Sequence, residues 1–145
     1  MIQMVSGFSS LINGGYYYEP RVVKQVVTSD DQLVKNYSKT LVKQTITKET
    51  SDYIKECLRS VVTDGTGSTA AISGYTVGGK TGTAETLPRG NHQYVVSFMG
   101  YAPADNPQIA IYVVVDRPNV ATQDDAKYAT RIVRSILTEA LPYLG

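Results

Sequence analysis

Two residue types that build reactive centres are nearly missing from this chain: it has one cysteine, Cys57, and one histidine, His92, in 145 residues. A single cysteine excludes an intramolecular disulfide framework and a cysteine-rich zinc site. With only one histidine beside it, metal catalysis is disfavoured, and no cofactor is expected. Charge of one sign is lacking too. Lys and Arg number 14 against 13 Asp and Glu, for a formal net charge of +1. That balance gives no electrostatic reason to expect nucleic acid or an anionic membrane as a partner. Long apolar runs are also absent. The longest, Ile109 to Val115, falls far short of the roughly 20 residues that cross a bilayer. No N-terminal stretch combines a basic start, an apolar centre and a small-residue cleavage site.

What is present is enough apolar material, 42% of residues, to bury a core and to rule out a disordered tail. Met1, Val5, Phe8 and Ile12 recur at helical spacing, and Asn13-Gly14-Gly15 supplies residues that end a helix. Residues 21–46 read as a hairpin. Val22, Val23, Val26 and Val27 form its outgoing strand, Ser29-Asp30-Asp31 its turn and Thr40 to Ile46 its return. Tyr16, Tyr17 and Tyr18 lead into it and read as a structural run at the sheet margin.

A second helix follows, with Thr47 as its cap and Glu49 at the positive end of its dipole. Ile54, Leu58, Val61 and Val62 form its buried stripe. Cys57 beside that stripe reads as a core or boundary residue rather than a nucleophile. Three β segments come next, Tyr75 to about Thr86, Tyr94 to Tyr101 and Gln108 to Asp116, joined by short links rich in turn formers. Residues 124–141 close the chain as a helix with Ala126, Ala129, Ile132, Val133, Ile136, Leu137 and Ala140 on one side, its start capped by Asp124-Asp125. The order implies an α+β fold, an antiparallel sheet flanked by helices.

Gly74 to Glu85 carries the most chemistry, and it reads two ways. Gly74 to Thr81 satisfies the phosphate-loop pattern G-x-x-x-x-G-K-[ST], with Asp116 available for a magnesium ion. That chemistry needs a hydrophobic strand entering the loop and a helix starting at the lysine. Here small polar residues precede the loop, and Gly82, Pro88 and Gly90 follow it, so this is the lesser alternative. The other reading makes Lys80-Thr81-Gly82 an edge strand beside an acyl-transfer site. Lys80 and Gly82 point to one face, and Thr81 and Thr83 to the other. The free edge accepts an extended peptide, Gly82 permits close approach, and a backbone N–H beyond it serves an oxyanion hole.

Lys80-Thr81-Gly82-Thr83-Ala84-Glu85 resembles the third active-site motif of penicillin-binding proteins, the serine D,D-transpeptidases that cross-link peptidoglycan. Asn13-Gly14-Gly15 with Pro20, Val61 to Gly67, Gly79 to Ala84, Ser97 to Pro103 and Val113 to Asp116 are similar to class B members in the same order, across essentially the whole chain. Cell-division and sporulation members of Gram-positive-type bacteria are the most alike. The resemblance implies a partial transpeptidase (β-lactamase-like) fold. It also implies roles: Lys80 orients the substrate carboxylate and the second-motif serine. The Thr83 amide donates to the oxyanion, the Thr81 and Thr83 hydroxyls bind the carboxylate, and Gly82 admits the substrate.

In this family a Ser-x-x-Lys serine attacks the D-Ala-D-Ala end of a stem peptide, and β-lactams acylate the same serine. No serine of this chain has Lys three residues on or Asn two residues on, so both upstream motifs are absent. Thr45-Ile-Thr-Lys48 has hydroxyl-x-x-Lys spacing but lies where a strand runs into a helix cap.

The expectation is therefore that residues 1–145 are one C-terminal fragment of a transpeptidase domain, inactive alone and prone to self-association. Its parent is expected to be anchored at the extracytoplasmic face of a bacterial plasma membrane. The expected partners are the stem peptide, β-lactams and the rest of the parent domain. A non-catalytic peptide- or partner-binding module of the same fold stays open as an alternative. Among other candidates, Glu85 is either a cleft or a surface residue and His92 a solvated hairpin tip; Gly65-Thr66-Gly67 could form an anion nest, but a helix-terminating loop explains it sufficiently.

Overall fold

The computed structural model describes residues 1–144, and the chain divides into two units, Met1–Ser51 and Asp52–Gly145. In the first, helix α1 (Ile2–Ile12) buries Phe8, Ser10 and Ile12. The chain then turns through Gly14 and Gly15, both at positive φ. At Gly15 a Cβ would sit 1.9 Å from the carbonyl oxygen of Ile46, so only glycine fits this crossing.

The residues read as one hairpin form two separate ladders. Strand β2 (Gln25–Val27) pairs antiparallel with β3 (Leu33–Asn36) around a turn in which Asp31 takes φ 61. The expected return strand, β4 (Leu41–Gln44), pairs instead with β1 (Tyr16–Tyr18). The tyrosine run is thus a ladder strand, and Val22 and Val23 lie outside any strand. Pro20, which cannot donate to a ladder, precedes them, and Val22 is fully exposed.

Helix α2 (Lys48–Thr63) begins where the sequence indicates: Thr47 Oγ1 accepts the Thr50 N–H at 3.2 Å. Val62 is buried, while Ile54, Leu58 and Val61 are half-buried. Cys57 is exposed, contrary to the expectation of a core or boundary residue.

The second unit is organised by a three-stranded antiparallel sheet in the order β5 (Gly78–Glu85), β6 (Tyr94–Ala102), β7 (Ile109–Asp116). Its strands are the three β segments expected, β5 starting three residues later. One face carries Val96, Phe98, Ile111, Val113 and Val115. Helix α3 (Lys127–Ala140) covers this face with Ala129, Val133 and Leu137, joined by Leu141, Ala70 and Val77. Phe98, Val133 and Leu137 have no exposed surface.

The buried side of α3 is rotated from the apolar stripe read in the sequence. Thr130 is buried and its hydroxyl donates to the Lys127 carbonyl and hydrogen bonds Thr69, whereas Ile132 and Ile136 are exposed. Ahead of the helix, Asp125 accepts the Lys127 N–H at 2.9 Å and pairs with its Nζ at 2.6 Å. These contacts hold the Asp125 carboxyl below the usual range. The α+β architecture is as expected. Among the described residues no helix is long and apolar enough to cross a membrane.

Candidate functional site

Lys80 to Thr83 lie in the middle of β5, an edge strand. Their partners on β6 are Met99, Phe98, Ser97 and Val96, and among the described residues no strand occupies the opposite edge. That edge keeps backbone N–H and C=O groups available to an extended chain. Register fixes the faces. Lys80 and Gly82 share one with Met99, Ser97 and Tyr101, and Thr81 and Thr83 alternate to the face of Phe98 and Val96. Lys80 and Thr83 are exposed, Thr81 and Gly82 half-buried.

The Lys80 ammonium donates to the Thr81 carbonyl at 3.0 Å and lies 3.5 Å from Thr81 Oγ1. Thr81 Oγ1 is in turn 2.9 Å from Thr66 Oγ1, carried by the loop that follows α2. Three polar groups thus gather beside the open edge: one ammonium and two hydroxyls. This grouping can take a carboxylate, since charge-assisted hydrogen bonds to an anion are about twice as strong as neutral ones. Gly82 keeps the surface low. A Cβ there would come within 2.5 Å of Ser97 Oγ.

Thr66 and Ser97 are the neighbours that sequence reasoning did not single out. Both fall inside the segments that resemble the family, and Gly65-Thr66-Gly67 reads as an anion nest or, sufficiently, as a helix-terminating loop. The structure adds a reason for the glycines. The Gly67 N–H returns to the Val61 carbonyl at 2.9 Å, and a Cβ at Gly67 would press on Phe98 and Val61 at 3.2 Å.

The phosphate-loop reading of Gly74 to Thr81 fails. Lys80 and Thr81 are strand residues, and strand and turn rather than a helix follow them. Asp116 is engaged by Arg117 at 3.0 Å. Glu85 turns away from a cleft role: its Oε1 accepts the N–H groups of Gly90 at 2.9 Å and His92 at 3.1 Å, fixing the β5–β6 turn. His92 is exposed there with φ 57. Among the described residues no group of three or more His, Cys, Asp or Glu is placed to hold a metal ion.

The fold is an open-edged, lysine-bearing strand on an antiparallel sheet backed by a helix, and comparison with known proteins identifies its family. The penicillin binding protein transpeptidase domain matches residues 1–138, and the chain belongs to that family, in its class B branch. It is 42% identical over 148 residues to stage V sporulation protein D of Bacillus subtilis, covering 99% of this chain and 23% of that protein. It is 32% identical over 129 residues to the probable peptidoglycan D,D-transpeptidase PenA of Neisseria flavescens, covering 83% and 32%. Among solved structures, penicillin-binding protein 3 of Mycobacterium tuberculosis complexed with aztreonam superposes with TM-score 0.79 at 27% identity, covering 97% and 35%. The chain therefore spans about a third or less of the length of each of these relatives.

Proposed function

We propose that residues 1–145 are the C-terminal part of a single transpeptidase domain, supplying the Lys-Thr-Gly strand of a serine D,D-transpeptidase that cross-links peptidoglycan. The observation that carries this reading is the run Lys80-Thr81-Gly82-Thr83 on an open edge strand, in a chain of this family. A stem peptide ending in D-Ala-D-Ala adds along the β5 edge over Gly82. Lys80 and the hydroxyls of Thr81 and Thr83 hold its terminal carboxylate. The Thr83 N–H faces the carbonyl oxygen as negative charge develops on it, and one such donor is worth ~2.7–4 kcal/mol in proteases.

The attacking serine and its lysine base come from upstream of this chain, which has neither Ser-x-x-Lys nor Ser-x-Asn. β-Lactams enter as mimics of the same peptide end and acylate the same serine, and the likeness to a structure complexed with aztreonam supports this. The parent is placed at the extracytoplasmic face of the bacterial plasma membrane by an N-terminal anchor and serves division or sporulation.

The test is release of the terminal D-alanine from a pentapeptide ending in D-Ala-D-Ala. The full-length protein is expected to release it and residues 1–145 to release none. A folded full-length protein that releases none, or a short chain that does, contradicts the proposal.

A further inference from the structure

Thr66 lies outside the four residues assigned above, yet the fold delivers its hydroxyl to Thr81, one of them. Gly65 and Gly67 flank it in tight quarters: a Cβ at Gly65 would lie 2.9 Å from the Val61 carbonyl oxygen, and one at Gly67 3.2 Å from it. The Gly67 N–H closes back on the Val61 carbonyl at 2.9 Å, and Ser68 N–H on the Gly65 carbonyl at 3.3 Å. The loop is folded tightly onto the end of α2, so the position of Thr66 is set by backbone, and its Oγ1 sits 2.9 Å from Thr81 Oγ1.

A hydroxyl has one proton to donate and two lone pairs to accept with. At Thr81 Oγ1 the Lys80 ammonium approaches at 3.5 Å as a pure donor. If Thr66 donates as well, both lone pairs of Thr81 Oγ1 are engaged and its own proton has to point elsewhere, outward to an incoming anion. Donors feeding one oxygen also polarise the O–H they leave free.

We infer that Thr66 is a positioning residue that orients the Thr81 hydroxyl toward the carboxylate of the acyl donor, peptide or β-lactam. This rests on the reading of β5 as the Lys-Thr-Gly strand of an acyl-transfer site. Thr66 acts through Thr81 and touches no reacting atom. Its side chain matters for its hydroxyl and not for its bulk.

The experiment is the second-order rate constant for acylation of the full-length protein by benzylpenicillin. It is measured for the wild type, Lys80→Ala, Thr66→Val, Thr66→Ser, Thr81→Val and the Thr66→Val/Thr81→Val double variant, with a melting curve for each. Thr66→Ala replaces Thr66→Val if the branched residue fails to fold. Thr66→Val is expected to slow acylation about 5- to 10-fold, the scale of one hydrogen bond. Thr66→Ser is expected to restore it, and the double variant to be no slower than Thr81→Val alone. A double variant slowed by the product of the single effects, a Thr66→Val rate equal to wild type, or a serine that fails to rescue would overturn the inference while leaving the acyl-transfer reading intact. A wild type that is not acylated, or a Lys80→Ala variant acylated at the wild-type rate, overturns both.

Discussion

Gly82 and Ser97 face each other across the β5–β6 ladder, with little room between them for a further side chain. Gly82→Ala places a methyl group 2.5 Å from Ser97 Oγ. The Ser97 hydroxyl can rotate aside, so the expected cost is about 1 kcal/mol of stability, the low end for overpacking, read from denaturant midpoints. Adding Ser97→Ala removes the colliding atom and is expected to recover most of that loss without restoring acylation, because the methyl still stands where the substrate must lie. Equal loss in the single and double variants would contradict this geometry.

Tyr101 is the buried titratable group of the same face. Its hydroxyl donates to the Lys55 carbonyl at 3.0 Å, and burial pushes its pKa up to about 12, with Arg59 opposing and Asp105 adding to the shift. A phenol whose pKa is raised in the folded state favours the protonated fold. Its contribution is therefore fully present below the ordinary value of 10.0 and is lost as pH rises toward about 12. Stability measured from pH 9 to 12 is expected to fall less steeply in Tyr101→Phe than in the wild type, with Tyr101→Phe about 1 kcal/mol less stable at neutral pH. Parallel curves would contradict it.

At the scale of elements, α3 anchors the sheet through Val133 and Leu137, neither of which has exposed surface. Leu137→Ala is expected to cost ~2–5 kcal/mol by chemical denaturation, and Ile136→Ala, exposed one residue away, under about 0.5 kcal/mol. That contrast was not legible in the sequence. The apolar arc of α3 is wider than the arc the sheet covers, and the buried side extends to Thr130, a polar residue admitted because Lys127 and Thr69 satisfy its hydroxyl.

The ladders of the first unit show the same limit. β propensity marks Leu41 to Gln44 as a strand, but three consecutive tyrosines have no alternation to reveal that they are its partner. Pairing is a non-local choice that local composition does not encode. By contrast, the Thr47 cap, the turn through Ser29-Asp30-Asp31 and the three strands from β5 to β7 follow from short-range chemistry, and these were readable. Lys80-Thr81-Gly82-Thr83 is contiguous, so its place on one strand was readable too. Thr66 joins them only through the fold.

At the scale of the whole molecule, the two units differ in how much backbone they protect. Every residue of β2, β3 and β4 is exposed, including Val26, Val27, Leu33, Val34, Leu41 and Val42. Strand β6, paired on both sides, is the most protected in the second unit. In hydrogen exchange the amides of β2 and β3 are expected to exchange first and those of β6 last. Exposed apolar ladders of this kind also favour association. Residues 1–145 alone are expected to show a weight-average mass in light scattering that rises with concentration, and Val34→Lys to lower it. A monomer at every concentration would contradict that expectation.

Covalent labelling with a fluorescent penicillin tests the proposal that the β5 strand completes a penicillin-reactive serine site in the full-length protein. A labelled full-length protein, much weaker labelling of a folded Lys80→Ala variant, and none of residues 1–145 are expected. Equal labelling of the Lys80→Ala variant, or no labelling of the folded wild type, would contradict it.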